Sequence, residues 1–254
     1  MFKRLLAFAY GLACYAAFLG VFLYAVGFIG NLWVPKSIDS APQAPFVEAL
    51  IINLVLLSLF ALQHSGMARP AFKRFWTRIV PKPVERSTYV MATNLCLIAL
   101  FAFWQPMGGV VWNLEGELAR LAVFGLYFAG WGVVLLATFL INHFDLFGLR
   151  QVWLNLRGRE YSRLLFTEPF LYRWVRHPLY VGWLMVFWAA PTMTIAHLFF
   201  AMVTTLYILV AIQLEERDLV AEHGGTYEDY RRRVPMLVPR IGGRGAAGPQ
   251  KVSA

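Results

Sequence analysis

Charge is scarce in this 254-residue chain. Asp, Glu, Lys and Arg together make up 15% of it, where a soluble domain carries about a quarter; the deficit argues against a water-soluble fold. Acidic side chains are scarcest, 14 against 23 Lys and Arg, which leaves a formal net charge of +9. Cysteine is nearly absent. Cys14 and Cys96 lie in separate apolar runs, without Cys-x-x-Cys spacing, so neither a disulfide framework nor a thiolate metal site is expected. No His/Asp/Glu spacing matches a zinc or di-iron centre, so no metal is expected. Gly-x-Ser-x-Gly, Walker and Rossmann fingerprints are missing too, as is any internal repeat.

What the chain has instead is long uncharged runs, with 59% hydrophobic residues and a mean hydropathy of +0.57. Arg4 and Lys36 bracket 31 residues without charge, Glu48 and Arg69 bracket 20, Arg86 and Glu115 bracket 28, and Arg120 and Asp145 bracket 24. Each fits one spanning helix, which needs about 20 apolar residues. Residues 1–30 read as the first of these helices: the run is too long for a signal-peptide core and lacks a cleavage pattern. The fifth run, 38 residues from Arg176 to Glu215, would make a helix about 57 Å long, too long for one crossing. Pro191 interrupts it, so the spacing predicts a hairpin of a short segment, 179–190, and a full one, 192–214. The fold expected is all-α: a polytopic transmembrane bundle of five or six segments whose last two form a helical hairpin. One membrane domain covers 1–240, and the Gly- and Ala-rich tail 241–254 is expected to be disordered.

The basic residues fix an orientation. If both termini face the cytoplasm, only Lys36 and Arg120 of the 23 Lys and Arg fall outside, as the positive-inside rule requires. This also demands an even number of crossings, or re-entry, in the fifth run. A bacterial inner membrane is the expected location. The positive charge is then juxtamembrane, facing anionic lipid, and no nucleic-acid partner is expected. "ARPAFKRFWTRIVPKPVERS" reads as an amphipathic interfacial loop. The longest loop, "FDLFGLRQVWLNLRGREYSRLLFTEPFLYRWV", is rich enough in apolar residues to fold against the bundle.

The hairpin brings "RHPLY" (176–180) and "LEERDL" (214–219) to one mouth. Pro178 suits a helix first turn, where its missing N–H costs nothing, and the free N–H groups there can receive an anion. Tyr180 and Trp183 offer aromatic faces to a cation, or an interfacial aromatic belt. Gly182 allows close backbone approach or simple helix packing. Glu215 and Glu216 sit where a helix leaves the bilayer; carboxylates are disfavoured at a helix C-terminus, so a cationic partner is expected, either a neighbouring arginine or a ligand. His64 and Ser65 end the second helix, and Asn142, His143 and Asp145 end the fourth, all on the same side. Ionisable groups at such depths are functional candidates. Helix capping is the plainer reading of each. His197, near the external turn, reads as structural, and His223 as exposed. A zwitterion that carries a sulfonium would match the mouth, although the residues alone do not single it out.

"RHPLYVGW", a hairpin, then "LEERDLVAEHGGTYEDYRRRVPMLVP" resembles the C-terminal signature of the isoprenylcysteine carboxyl methyltransferases and related membrane methyltransferases: RHPxYxG, then EE, then G-x-x-Y-x-x-Y-x-x-x-V-P. The likeness covers about 65 residues. "QHSGMARPAFK", "ERSTYV" and "NHFDLFGLRQVWL" resemble the bacterial branch whose acceptor is methanethiol, which extends the likeness to most of the chain. The resemblance implies S-adenosyl-L-methionine as cosubstrate, in a cytoplasm-facing pocket formed by about 142–240. Its contacts would be Tyr172, His177, Pro178, Tyr180, Glu215 and Glu216, with Gln151 a looser match. The eukaryotic carboxyl methyltransferases carry a substrate-contacting arginine four residues before the position of Glu215. Ala211 stands here, which favours a small uncharged thiol over a prenylcysteine carboxylate. A thiol must ionise to attack, and His143 or His64, with Asp145 as a relay, is the candidate base. An isoprenylcysteine or phospholipid acceptor and a non-enzymatic membrane protein remain the alternatives, and the oligomeric state stays open.

Overall fold

The computed structural model describes residues 1–162 and 164–240; the tail 241–254, expected to be disordered, lies outside the described residues. In chain order the elements are α1 (Phe2–Gly30), α2 (Phe46–Ala68), a short α3 (Pro70–Trp76), α4 (Lys82–Phe103), β1 (Val110–Asn113), α5 (Glu117–Ile141), α6 (His143–Leu146) and α7 (Leu149–Leu156). A 3-10 turn (Phe170–Arg173), α8 (Pro178–Trp188), β2 (Thr192–Thr194), α9 (Ile195–His223) and α10 (Gly225–Arg233) complete it. Helices α1, α2, α4, α5 and α9 are each long and apolar enough to cross a membrane. Leu54, Val55, Leu59 and Leu62 on α2, and Leu118, Leu121, Phe128 and Leu136 on α5, are exposed. Such a girdle faces lipid rather than water. The chain is an integral membrane protein built as a helical bundle.

Several polar groups inside the bundle are paired, as a low-dielectric interior favours. The buried Asn53 donates from Nδ2 to the Gln105 carbonyl (2.6 Å) and accepts the Gln105 N–H (2.8 Å), which joins α2 to the end of α4. The Pro-rich loop 34–45 is tied in by Trp104, whose indole N–H donates to the Ile38 carbonyl at 3.0 Å.

The fifth apolar run folds as a hairpin, with a difference. Helix α8 has 11 residues, about 16 Å of rise, half of what a bilayer core needs. An extended connector follows it. β2 pairs antiparallel with β1, Trp112 opposite Met193. The Trp112 indole donates to the Ala190 carbonyl (3.1 Å) and the Leu114 N–H to the Pro191 carbonyl (2.9 Å). These bonds satisfy the backbone that Pro191 leaves outside a helix, the condition for non-helical chain at such a depth.

Helix α8 lies against α5 at a two-glycine crossing. A methyl group added at Gly182 would sit 2.8 Å from the Val134 nitrogen and 2.9 Å from the Gly130 carbonyl oxygen, so main chain meets main chain, as small residues permit. Gly182→Val should cost about 1–3 kcal/mol by forcing the helices apart. A lowered Tm of the detergent-purified protein, with weakened ligand binding at α8, is the expected result; an unchanged Tm would refute the crossing.

Candidate active site

The mouth is assembled by the chain's return. After α10, the Pro235 carbonyl accepts the Arg176 N–H (2.9 Å) and the Met236 carbonyl accepts the His177 N–H (3.2 Å). This pins the segment before α8 across the lower end of α9. Pro178 takes the first position of α8. The N–H groups of Leu179 and Tyr180 donate to nothing among the described residues, which leaves two aligned donors at a helix start, where an anion binds well.

The two glutamates have separate work. Glu216 is buried, and its Oε1 receives Arg176 Nε at 2.7 Å and faces His177 Nε2 at 3.0 Å. Arg176 also donates from Nη1 to the carbonyls of Val234 (2.5 Å) and Arg231 (3.0 Å). The guanidinium is thus neutralised, and its three bonds tie the start of α8, α9 and the returning chain together. Glu215 has no cationic partner among the described residues; its Oε2 accepts only the Tyr180 hydroxyl, at 3.0 Å. The arginine pairing open in the sequence therefore holds for Glu216 and not for Glu215. Both stand two turns inside α9, which continues to His223, so the expectation drawn from a helix C-terminus does not apply to them. The pairing itself is the stronger ground. Burial, and then the charge of Glu215 beside it, raise the Tyr172 phenol well above its ordinary pKa; Tyr172 thus belongs to this mouth. Its carbonyl accepts the Tyr230 hydroxyl at 2.6 Å. Trp183 packs into the core instead, edge-on to Trp131 and stacked on Phe187.

Beside Glu215 lies a second group that the sequence did not bring forward. Tyr207, two turns earlier on α9, has its hydroxyl 3.0 Å from that of Ser65. Phe60 stacks on the His64 ring (5.2 Å between centroids) and meets Tyr207 edge-on. The Tyr89 hydroxyl lies 3.0 Å from His64 Nδ1, and Arg69 pairs with Asp218 at 2.8 Å. Phe60 and Tyr207, with Leu57, Ala61 and Val203, line a cavity of about 80 Å³ between α2 and α9. Tyr207's spacing from Glu215 was the one signal available in the chain.

His143 and Asp145 form a different cluster. His143 is buried, with Nδ1 2.9 Å from the Thr138 hydroxyl, Nε2 2.8 Å from the Tyr15 hydroxyl, and its ring stacked on Phe139. Burial pushes its pKa down. Both ring nitrogens face partners other than Asp145. That carboxylate pairs with Arg150 (2.9 Å) and accepts from Tyr161 (3.2 Å). Asn142 caps α6 by accepting the Asp145 N–H at 3.0 Å. Gln151 donates to the Asp145 carbonyl (3.0 Å), and its buried Oε1 has no partner among the described residues. Gly148, at a left-handed φ of 88°, lets α7 turn against α4, where an added methyl would lie 2.8 Å from the Ser87 nitrogen. Arg86 connects the clusters: it donates to the Leu146 carbonyl (2.6 Å) and lies 4.7 Å over the Tyr89 ring. The structure therefore brings together His64, Tyr172, His177, Pro178, Tyr180, Glu215 and Glu216, and sets His143, Asp145 and Gln151 on the far side of Arg86. No group of three or more potential metal ligands occurs among the described residues.

Chemically, the mouth offers an unneutralised carboxylate, two free N–H donors and several phenols, a set that fits a ligand with both a cation and a carboxylate. The unpartnered Gln151 oxygen could accept one further N–H.

Residues 131–221 match the isoprenylcysteine carboxyl methyltransferase family. The methanethiol S-methyltransferase of Crocosphaera subtropica is 57% identical over 240 residues, 94% of each chain. That of Mycobacterium tuberculosis is 52% identical over 93% of this chain and 97% of its own. Nurim of Rattus norvegicus is 32% identical over 68% of this chain and 69% of its own. No solved structure matches.

Proposed function

From its place in the isoprenylcysteine carboxyl methyltransferase family, where this chain belongs with the methanethiol S-methyltransferases, we propose that it methylates methanethiol to dimethyl sulfide with S-adenosylmethionine as cosubstrate. The single observation that carries the cosubstrate is Glu215, a carboxylate at a membrane mouth with no cation beside it among the described residues. Bound there, S-adenosylmethionine would supply an electrophilic methyl group on a sulfonium. Glu215 would hold a cationic centre, the N–H groups of Leu179 and Tyr180 a carboxylate, and Tyr180 and Tyr172 the aromatic flank. Arg176 and Glu216 keep that wall in position.

The cavity between α2 and α9 is the acceptor site in this reading. At about 80 Å³ it has room for a thiol of one or two carbons. Its apolar walls suit a thiol that arrives through lipid. A thiolate attacks the methyl carbon in line, the sulfonium sulfur keeps the bonding pair, and S-adenosylhomocysteine leaves. Positioning supplies much of the catalysis, because the leaving group is already good. Of the candidate bases, geometry favours His64, which shares Phe60 with the cavity, over His143, which touches neither cavity nor Glu215 group. With the basic loops cytoplasmic, the mouth opens to the cytoplasm of a bacterial cell.

Two outcomes are expected of variants. His64→Ala should lower kcat/KM for methanethiol at pH 7 by about 10²-fold, and the defect should shrink as pH rises and the thiol ionises by itself. A defect that is the same at every pH would remove His64 as base. Val203→Phe, which fills the cavity, should raise KM for methanethiol about tenfold or more without altering cosubstrate affinity, since one misplaced methylene-sized group is worth about 10–200-fold. Methyl transfer to isoprenylcysteine or to phospholipid vesicles, with none to methanethiol, would overturn the acceptor.

A further inference from the structure

A second cavity, of about 300 Å³ and with charged groups in its lining, lies at the opposite end of the bundle. His197 in its wall and Glu215 are 18 residues apart on α9, about 27 Å. One wall carries Arg120 and Thr192, the other Asp39, His197 and Thr194, with Ile29 and Phe124 as apolar neighbours. Methyl transfer at the other end uses none of them.

His197 is incompletely bonded in an informative way. It is 1% exposed. Its Nε2 lies 3.0 Å from the Phe187 carbonyl, an acceptor only, so the ring proton belongs on Nε2. In a neutral ring Nδ1 then presents a lone pair, and it has no hydrogen-bond partner among the described residues. The nearest charged atom is Asp39 Oδ2 at 3.5 Å, on a side chain 9% exposed. With a neutral ring, two acceptors face one another in a buried site, a costly arrangement unless a donor joins them; with a protonated ring, the same contact is an ion pair. Asp39 already accepts from Asn31 Nδ2 (2.7 Å) and from the Thr194 hydroxyl, and a carboxylate has room for more.

Across the cavity the Arg120 guanidinium is under-used. Its Nη1 reaches the Leu114 carbonyl (3.2 Å) and, at 3.4 Å each, Asn113 Oδ1 and the Thr192 hydroxyl. Its Nε and Nη2 have no partner, and no carboxylate pairs with it, among the described residues. The two charges are registered by one strand: Thr192 touches Arg120 and Thr194 touches Asp39.

We propose that this cavity binds a small zwitterion of the α-amino-acid class. The ammonium donates to Asp39 and to His197 Nδ1, the carboxylate takes the free N–H groups of Arg120, and a short apolar side chain lies against Ile29 and Phe124. With the basic loops cytoplasmic, such a ligand arrives from the other side of the membrane.

The test is calorimetry on the full-length, detergent-purified protein with L-alanine and L-leucine, against N-acetyl-L-alanine and L-alaninamide, each of which lacks one charge. The expected result is binding of the free amino acids with Kd tighter than about 10 mM and at least tenfold weaker binding of both blocked derivatives. Arg120→Gln should abolish amino-acid binding yet leave S-adenosylmethionine affinity unchanged, which shows that the variant is folded. No binding of either amino acid by wild type, equal affinity for a blocked derivative, or undiminished binding by Arg120→Gln would each overturn the proposal. The blocked derivatives keep it falsifiable without any variant.

Discussion

Glu215→Gln is expected to weaken S-adenosylmethionine binding by about 10²-fold and to leave the ligand-free protein as stable as wild type, or slightly more so. The reason is the pairing at the mouth. A charge-assisted hydrogen bond is worth about 1.5–3 kcal/mol, and at 1.4 kcal/mol per decade its loss from the bound state gives roughly that factor. In the free protein, the Glu215 carboxylate meets only the neutral Tyr180 hydroxyl among the described residues, so a neutral isostere there costs no partner. Titration calorimetry with a thermal melt of each protein separates the two effects. A variant that binds normally would remove Glu215 from the site.

Glu216→Gln, one residue on, should do the reverse. Its carboxylate balances Arg176 in a pair whose side chains are 7% and 10% exposed. Removing one member of a buried pair costs about 3–5 kcal/mol, on the order of 10 °C in Tm for a chain of this size. Arg176 would keep its two carbonyl partners but lose its counter-charge. The binding defect of this variant should follow its stability, and recover when α8 and the returning chain are held folded at low temperature. Wild-type Tm for Glu216→Gln would contradict the division of labour between the two glutamates.

That division was out of reach of the sequence for a physical reason. Neighbours on a helix point about 100° apart, and which one meets Arg176 depends on the chain at 234–236, whose carbonyls hold the guanidinium of Arg176 and the backbone of Arg176 and His177. No local pattern around "LEERDL" contains that information. The coarser fact, that "RHPLY" and "LEERDL" share a mouth, was legible because Pro191 breaks a run too long to span once. The five spanning helices were legible from uncharged length alone, since lipid tolerates little else. The β1–β2 pair was not: strands of four and three residues leave no periodicity to read. His64 and His143 looked equivalent, each a histidine at a helix end on one side of the membrane. The structure separates them through their neighbours, Phe60 and Tyr89 for one, Tyr15 and Thr138 for the other, and apart from Phe60, one turn earlier on α2, these neighbours lie on other helices.

The most direct test of the account is transfer of a labelled methyl group from S-adenosylmethionine to methanethiol by the purified protein, with dimethyl sulfide measured in the headspace for wild type and for Glu215→Gln. The account predicts labelled dimethyl sulfide from wild type, and at subsaturating cosubstrate about 10²-fold less from the variant. No labelled product from a folded wild-type protein, or equal product from the two, would contradict it.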